Sequence, residues 1–307
     1  MTGAGTTKVF YYRGFGLRIK SDIELYGLLP AEADQHDIEI ACSSSVAAPE
    51  PTATDIFEFS PERQLLVWGP VGRFEIFGTS RVEYALCADT DPSLASFPIL
   101  GPVFGLLLHL RGLLVLHASA LVLEAGAVIL LGDKGAGKST TAAAMIAADL
   151  KLMSDDLVVI RHDDAGQFTV LPSFPQLKLT EKSMSAFAQS RVGPSAGPHA
   201  LLGKHILALP DSFSNAPASA ATAVVLRRGT AASISDLSKP EALNAILKFS
   251  YASRYDLTKL SKSIAARHLS LCAQFVAAVR VGLLTVPSEI SELRSAVALL
   301  KREFAVG

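Results

Sequence analysis

The chain is short of net charge, of cysteine and of uninterrupted apolar sequence, and each shortage removes a class of function. Its 307 residues carry 28 lysines and arginines against 29 aspartates and glutamates, a formal net charge of −1. No general basic field is present to attract nucleic acid, so no nucleic-acid partner is expected. The three cysteines, Cys42, Cys87 and Cys272, lie far apart with no CxxC pair. They offer neither a zinc site nor a disulfide framework and fit a reducing, cytoplasmic compartment. The N-terminal MTGAGTTKVFYYRGF lacks the continuous apolar run of a signal peptide. The most lipid-like stretch, FPILGPVFGLLLHLRGLLVLHASALVL, is interrupted by His109, Arg111 and His117. Those breaks come before the ~20 apolar residues that a membrane-spanning helix needs, so the stretch reads as buried core and no membrane partner is expected.

What remains is an apolar globular composition, 50% hydrophobic and 19% charged. Residues 1–95 read as strands: KVFYYRGFGLRIKS, HDIEIACSS, DIFEFS, QLLVWG, RFEIFG and RVEYAL are short aromatic or β-branched runs between Pro, Gly, Ser and Asp punctuation. The texture changes near DTDPSLASFP. A helix is expected over roughly Leu100–Arg111, then two strands joined at Glu124-Ala125-Gly126, and a strand pair turning at Asp163–Gly166. Loops are expected over residues 183–203 and 210–221. A strand at TAVVLRRG leads into helices near Pro240–Phe249, Thr258–Val281 and Glu289–Phe304, the last with Ser288 as its N-cap. The fold class is mixed α/β, with a β-rich domain over 1–95 and a second domain over 96–307.

GDKGAGKS, from Gly132 to Ser139, satisfies the G-x-x-x-x-G-K-[ST] pattern with an apolar strand entering and the alanine-rich TTAAAMIAADL helix leaving. Glycines at this spacing let the backbone curl so that several N–H groups point at phosphate oxygens, and the helix N-terminus adds partial positive charge. The residues expected on a nucleotide are Gly132, Asp133, Lys134, Gly135, Ala136, Gly137, Lys138, Ser139 and Thr140. Lys138 would reach the β- and γ-phosphates and Ser139 a Mg²⁺ ion, making ATP and Mg²⁺ the expected cofactors. The competing reading is a glycine turn that caps a helix, with Lys138 solvated. No N-K-x-D motif argues for a GTPase and no LSGGQ-like segment for an ABC-type ATPase. The nearest carboxylates are Asp155 and Asp156 in KLMSDDLVVI, one helix downstream. A transfer site needs an acidic metal contact and a group to take the acceptor's proton, and two adjacent carboxylates can divide those duties.

His117, the strand–turn–strand, the loop ending at Ser139 and the Asp155-Asp156 pair resemble, in kind and in spacing, the signature of the HPr kinase/phosphorylase family. The resemblance implies a P-loop kinase domain related to phosphoenolpyruvate carboxykinase and an activity that phosphorylates a serine. In that scheme Asp156 is the general base, Asp155 supports the metal or the base, and His117 tunes the carboxylates. Two features differ from the family. Its Glu-Ile-Arg-Gly-Leu-Gly-like segment is replaced by LPSFPQLKLTEKS, where Glu181 is the nearest substitute carboxylate, and residues 1–95 do not look like the regulatory N-terminal domain.

GLRIKSDIEL, GLLVLHASAL, SDD and FPQLKL are similar instead to the HPr-kinase-like enzymes of lasso-peptide gene clusters. That implies a ribosomal precursor peptide as substrate, phosphorylated on a serine at or near its C-terminus. An HPr-like carrier protein is the alternative acceptor, and a non-catalytic nucleotide sensor the alternative of another class. Assembly as a homo-oligomer is left open. For the extra cation that transfer requires, Lys178, Lys204, His205, Arg227 and Arg228 are candidates, with a solvated face the favoured reading of Lys178. His109 and Arg111 read as packing or surface residues of a helix, and HDDAG over His162–Gly166 as a hairpin turn rather than a metal site.

Overall fold

The structure is a computed structural model that describes residues 8–43, 45, 47–50, 55–60, 63–187, 205–255 and 261–304. Among them, the strand-rich N-terminal sequence forms an eight-stranded mixed sheet. Its spatial order is Leu29–Pro30, Phe10–Gly14, Leu17–Ser21, Ile38–Cys42, Arg81–Leu86, Gly72–Phe77, Arg63–Trp68 and Ile56–Phe59. The alternation in the sequence is the alternation of the sheet: Ile38 and Ile40 are buried while Glu39 between them faces outward to pair with Lys20.

A nine-stranded mixed sheet follows, and at its heart three strands run parallel: Gly126–Leu131, Ala218–Gly229 and Arg280–Pro287. Strands buried on both faces need apolar residues throughout, and GAVILL supplies them. Val128 and Leu130 pack toward the helices Lys138–Ala147 and Leu293–Glu303. Ala127, Ile129 and Leu131 face the helices Lys239–Phe249 and Lys262–Ala278. The sheet is thus sandwiched between helical layers, the arrangement that offers loops at strand ends for chemistry.

The apolar stretch before it is helical over Ser96–Pro98 and Phe104–Leu110, with a wide turn over Ile99–Val103 between them. Pro102 cannot donate a helical hydrogen bond and Gly101 leaves helical geometry, so the expected continuous helix from Leu100 is broken there. Ile99, Val103, Phe104 and Leu106–Leu108 are fully buried in a core shared between the N-terminal sheet and the strand Val158–His162.

Three expectations need correction. The strand at TAVVLRRG begins at Ala218, inside the expected loop. Small residues there have weak strand preference, but pairing with Gly126–Leu131 on one side and Phe168–Leu171 on the other overrides it. Ser288 does not cap the last helix, because a 3₁₀ turn over Ile290–Glu292 precedes it and Glu292 takes the N-cap position. Residues 181–187 form a helix, Glu181–Phe187, while most of the loop expected over 183–203 lies outside the described residues.

Candidate active site

Two antiparallel segments, residues 114–123 and 152–162, bend at the same level. Ser119 pairs with Asp155 on one side of the bend and Leu116 with Val158 on the other. The corner at His117–Ala118 therefore faces the corner at Asp156–Leu157. Asp156 takes a left-handed φ of 66°, and the Leu157 N–H donates to the Asp155 carbonyl at 2.9 Å, closing a tight γ-turn around it. Aspartate is among the few non-glycine residues that enter this region at modest cost. Ser154 Oγ ties the turn by donating to the Leu157 carbonyl at 2.6 Å. A strained corner that carries a carboxylate is a recurrent mark of functional sites.

Asp155 points the other way, into the protein, with 7% of its surface exposed. Its carboxylate accepts from Ser119 Oγ at 2.6 Å, from Ser139 Oγ at 3.3 Å and from the Lys178 N–H at 3.1 Å. Burial, and next the Asp156 charge, push its carboxyl above the usual carboxylate range, against the pull of the Ser119 and Lys178 donors. Asp156 accepts from Lys178 Nζ at 2.8 Å. Burial alone would pull the Lys178 ammonium down, but the charge and hydrogen bond of Asp156, together with the Asp155 charge, offset it and the group is held above the usual lysine range.

Lys178 is therefore an inward-facing partner of both aspartates, not the solvated cation favoured from sequence. Its strand Gln176–Leu179 pairs with His205–Ala208 and lies along the helix Lys138–Ala147. The N-terminal sheet supports that strand: the Phe15 N–H donates to the Pro172 carbonyl at 2.8 Å, and a Cβ on Gly27 would fall 2.6 Å from the Gln176 side chain.

His117 Nδ1 lies 3.1 Å from the Asp156 carbonyl oxygen. A carbonyl only accepts, so Nδ1 carries the proton and Nε2 is left as an acceptor. Burial, reinforced by the charges of Arg254 and Lys138, pulls the imidazole down to about 4, so the ring is neutral near pH 7. It meets the main chain of Asp156 rather than either carboxylate, and so acts on the position of the corner.

The loop at residues 132–139 joins the strand Gly126–Leu131 to the helix Lys138–Ala147. Gly135 and Gly137 have φ of 87° and 98°, and the Ala136 N–H donates to the Asp133 carbonyl at 3.1 Å. Lys138 lies along the loop and donates to the Gly132 carbonyl at 2.6 Å. Asp133 pairs with Lys248 at 2.8 Å, Lys134 is exposed, and Thr140 Oγ1 contacts Ser183 Oγ at 2.9 Å. Arg228 donates to the Pro287 carbonyl at 2.9 Å and presses on the loop: a Cβ on Gly137 would fall 2.1 Å from its guanidinium.

The other candidates lie elsewhere. Glu181, the expected substitute metal-side carboxylate, is exposed and pairs with His205. Arg227 contacts Thr285, Lys204 is outside the described residues, and His109 is buried against His268. Ser119 is a site residue that sequence reasoning missed, because the bend at His117–Ala118 that brings it to Asp155 leaves no local signal. An open cleft of about 240 Å³ adjoins the site, lined by His117, Gly132, Asp133, Lys134, Lys248, Phe249, Ser250, Ser253 and Arg254.

No protein-family model matches the chain, and no curated protein does. One similar solved structure is the HPr(Ser) kinase/phosphatase from Coxiella burnetii. It covers 62% of this chain and 99% of that one, at 13% identity and a TM-score of 0.32. Overlap at that level leaves the reading of the site to its own residues.

Proposed function

We propose that the chain is an ATP-dependent serine kinase acting on a peptide or small protein, and that its acceptor is a ribosomal precursor peptide of the lasso type. One observation carries this reading. Ser139, Asp155, Asp156 and Lys178 converge in one hydrogen-bonded cluster at the N-terminus of the helix that follows the glycine loop. The donors suit Mg²⁺, a hard cation that takes oxygen ligands and fills its shell with water and substrate phosphate. Ser139 and Asp155 would hold it, and Lys138 with the backbone amides of the loop would hold the β- and γ-phosphates. Bound Mg-ATP supplies the transferable phosphoryl group and the charge neutralisation around it.

The chain's own groups do the rest. Asp156, on the corner that His117 links to the cleft wall, takes the proton of the acceptor hydroxyl. Lys178 balances its charge and fixes its direction. His117, neutral, holds the corner through the Asp156 carbonyl and is a positioning residue. Ser119 and the Lys178 N–H orient Asp155 toward Ser139.

The test incubates the protein with Mg-ATP and serine-bearing peptides, then reads by mass spectrometry whether a serine gains one phosphoryl group. Phosphoserine is the expected product. Measurable ATP binding with no phosphoserine on any peptide would remove the kinase reading and leave a nucleotide sensor.

A further inference from the structure

The cleft beside the loop has more cations than the nucleotide reading uses. Lys134, Lys248 and Arg254 line it, and among the described residues Asp133 is the one carboxylate on its wall. Lys248 already pairs with Asp133 at 2.8 Å. Arg254 differs: among the described residues no carboxylate pairs with it. It ends the 3₁₀ turn Tyr251–Arg254, and its guanidinium lies 4.6 Å from the centre of the Tyr251 ring. Tyr251 is buried, and its hydroxyl lies 3.5 Å from Arg254 Nη1. The turn itself is anchored, because the Ala252 N–H donates to Ser250 Oγ at 3.2 Å and the Ser250 backbone bridges to Leu116. A long side chain that would otherwise lose much rotamer freedom on binding is thus pre-set on the wall next to His117.

We infer that Arg254 receives a carboxylate of the phosphoryl acceptor, carried close to the acceptor hydroxyl. The inference rests on the kinase reading and deepens it by naming what the acceptor must present. The phosphates have their own partners in Lys138, the loop amides and the helix N-terminus. The cleft lies between the start of the loop at Gly132–Lys134 and the Tyr251–Arg254 turn, and His117, which holds the Asp156 corner, forms part of its wall. The planar fork of an arginine stacked on a tyrosine matches the two oxygens of a carboxylate. That carboxylate is either a chain terminus or an acidic side chain near the serine.

The experiment offers the full-length protein, with Mg-ATP, three randomised peptide libraries of fixed serine content. One has free C-terminal carboxylates, one is C-terminally amidated, and one is amidated and lacks Asp and Glu. Products are sequenced by mass spectrometry. Phosphorylation confined to the free-acid library, at serines close to the terminus, supports a terminal carboxylate. Phosphorylation of the acid-bearing amidated library next to Asp or Glu supports a side-chain carboxylate. Equal phosphorylation of all three overturns the inference while the kinase reading stands. No product from any library, with Mg-ATP binding measured in parallel, overturns the kinase reading and the inference with it.

Arg254→Gln then separates acceptor binding from transfer on the best peptide found. It should raise KM about ten- to a hundredfold, leave kcat and Mg-ATP affinity unchanged, and erase the preference for acid over amide. A fall in kcat at unchanged KM would place Arg254 on the transferring group and overturn the inference. If the variant does not fold, the library comparison with the wild-type protein decides alone.

Discussion

Asp156→Asn is the substitution that isolates proton abstraction from everything else at the site. Asparagine has the same shape, tolerates the left-handed φ of 66°, and can still accept from Lys178 Nζ, so the corner and its γ-turn should survive. Alanine would be a poorer probe, since it adds a backbone cost of about 1–2 kcal/mol at that φ and removes the acceptor as well. What asparagine removes is basicity. A positioned general base contributes about 10²–10⁴-fold, or about 3–5 kcal/mol of barrier, so kcat should fall by that factor. The loop, Lys138, Ser139 and Asp155 are untouched, so Mg-ATP affinity should stay within about twofold. Equilibrium titration with a fluorescent ATP analogue gives the second quantity, and phosphoserine formation under saturating ATP gives the first. Transfer at the wild-type rate would refute Asp156 as the base. Loss of nucleotide affinity equal to the loss of rate would refute the separation of roles between the two aspartates.

Lys178→Met should lower transfer at least about tenfold, worth about 1.4 kcal/mol of barrier, with Lys178→Arg restoring part of it; full activity of the methionine variant would show the ion pair to be structural only. Gly137→Ala should abolish nucleotide binding, because its Cβ meets Arg228 at a φ of 98°. Gly78→Ala, with a φ of 58° and open space around it, should bind normally, and the pair is compared by the same titration. Burial, with the nearby charges of His268 and Arg267, pulls His109 down from 6.5 to about 3. The fold holds it neutral while the unfolded chain protonates below pH 6.5, so stability is intact above that pH and is lost as pH falls toward 3. By pH 5 the loss from this group is about 2 kcal/mol. His109→Leu also removes an unpartnered buried Nε2, and should flatten urea-unfolding stability between pH 7 and 5 by about that amount. An unchanged pH slope in the leucine variant would contradict the assignment.

The loop and its flanks were legible because their signals are local. Glycines at fixed spacing, an apolar run before them and a helix-forming run after them need no knowledge of distant residues, and the hairpin turning at Asp163–Gly166 reads out of turn chemistry in the same way. The N-terminal strands were equally plain as short aromatic or β-branched runs between turn residues, some alternating as Ile38–Cys42 does and others, such as Arg63–Trp68, buried on both faces. Lys178 was not legible. A lysine between two leucines on a short strand looks like the outward position of an amphipathic hairpin, and only the placement of Gln176–Leu179 beside Asp155 and Asp156 turns it inward. Arg254 was hidden for a similar reason: its stack on Tyr251 and its wall of the cleft follow from the bridge between Ser250 and Leu116, far apart in sequence. The broken helix at Gly101 and Pro102 has a signal in the proline, but the apolar continuity around it favours one unbroken helix.

The central claim is that the glycine loop and the Asp155-Asp156 corner form one phosphoryl-transfer site. The most direct test follows ADP and phosphoserine together as the protein acts on Mg-ATP and its best serine peptide. The account predicts one phosphoserine for each ADP released, with both lost in Lys138→Met and in Asp156→Asn. ADP release that continues without phosphoserine, or that is indifferent to Asp156→Asn, would contradict it.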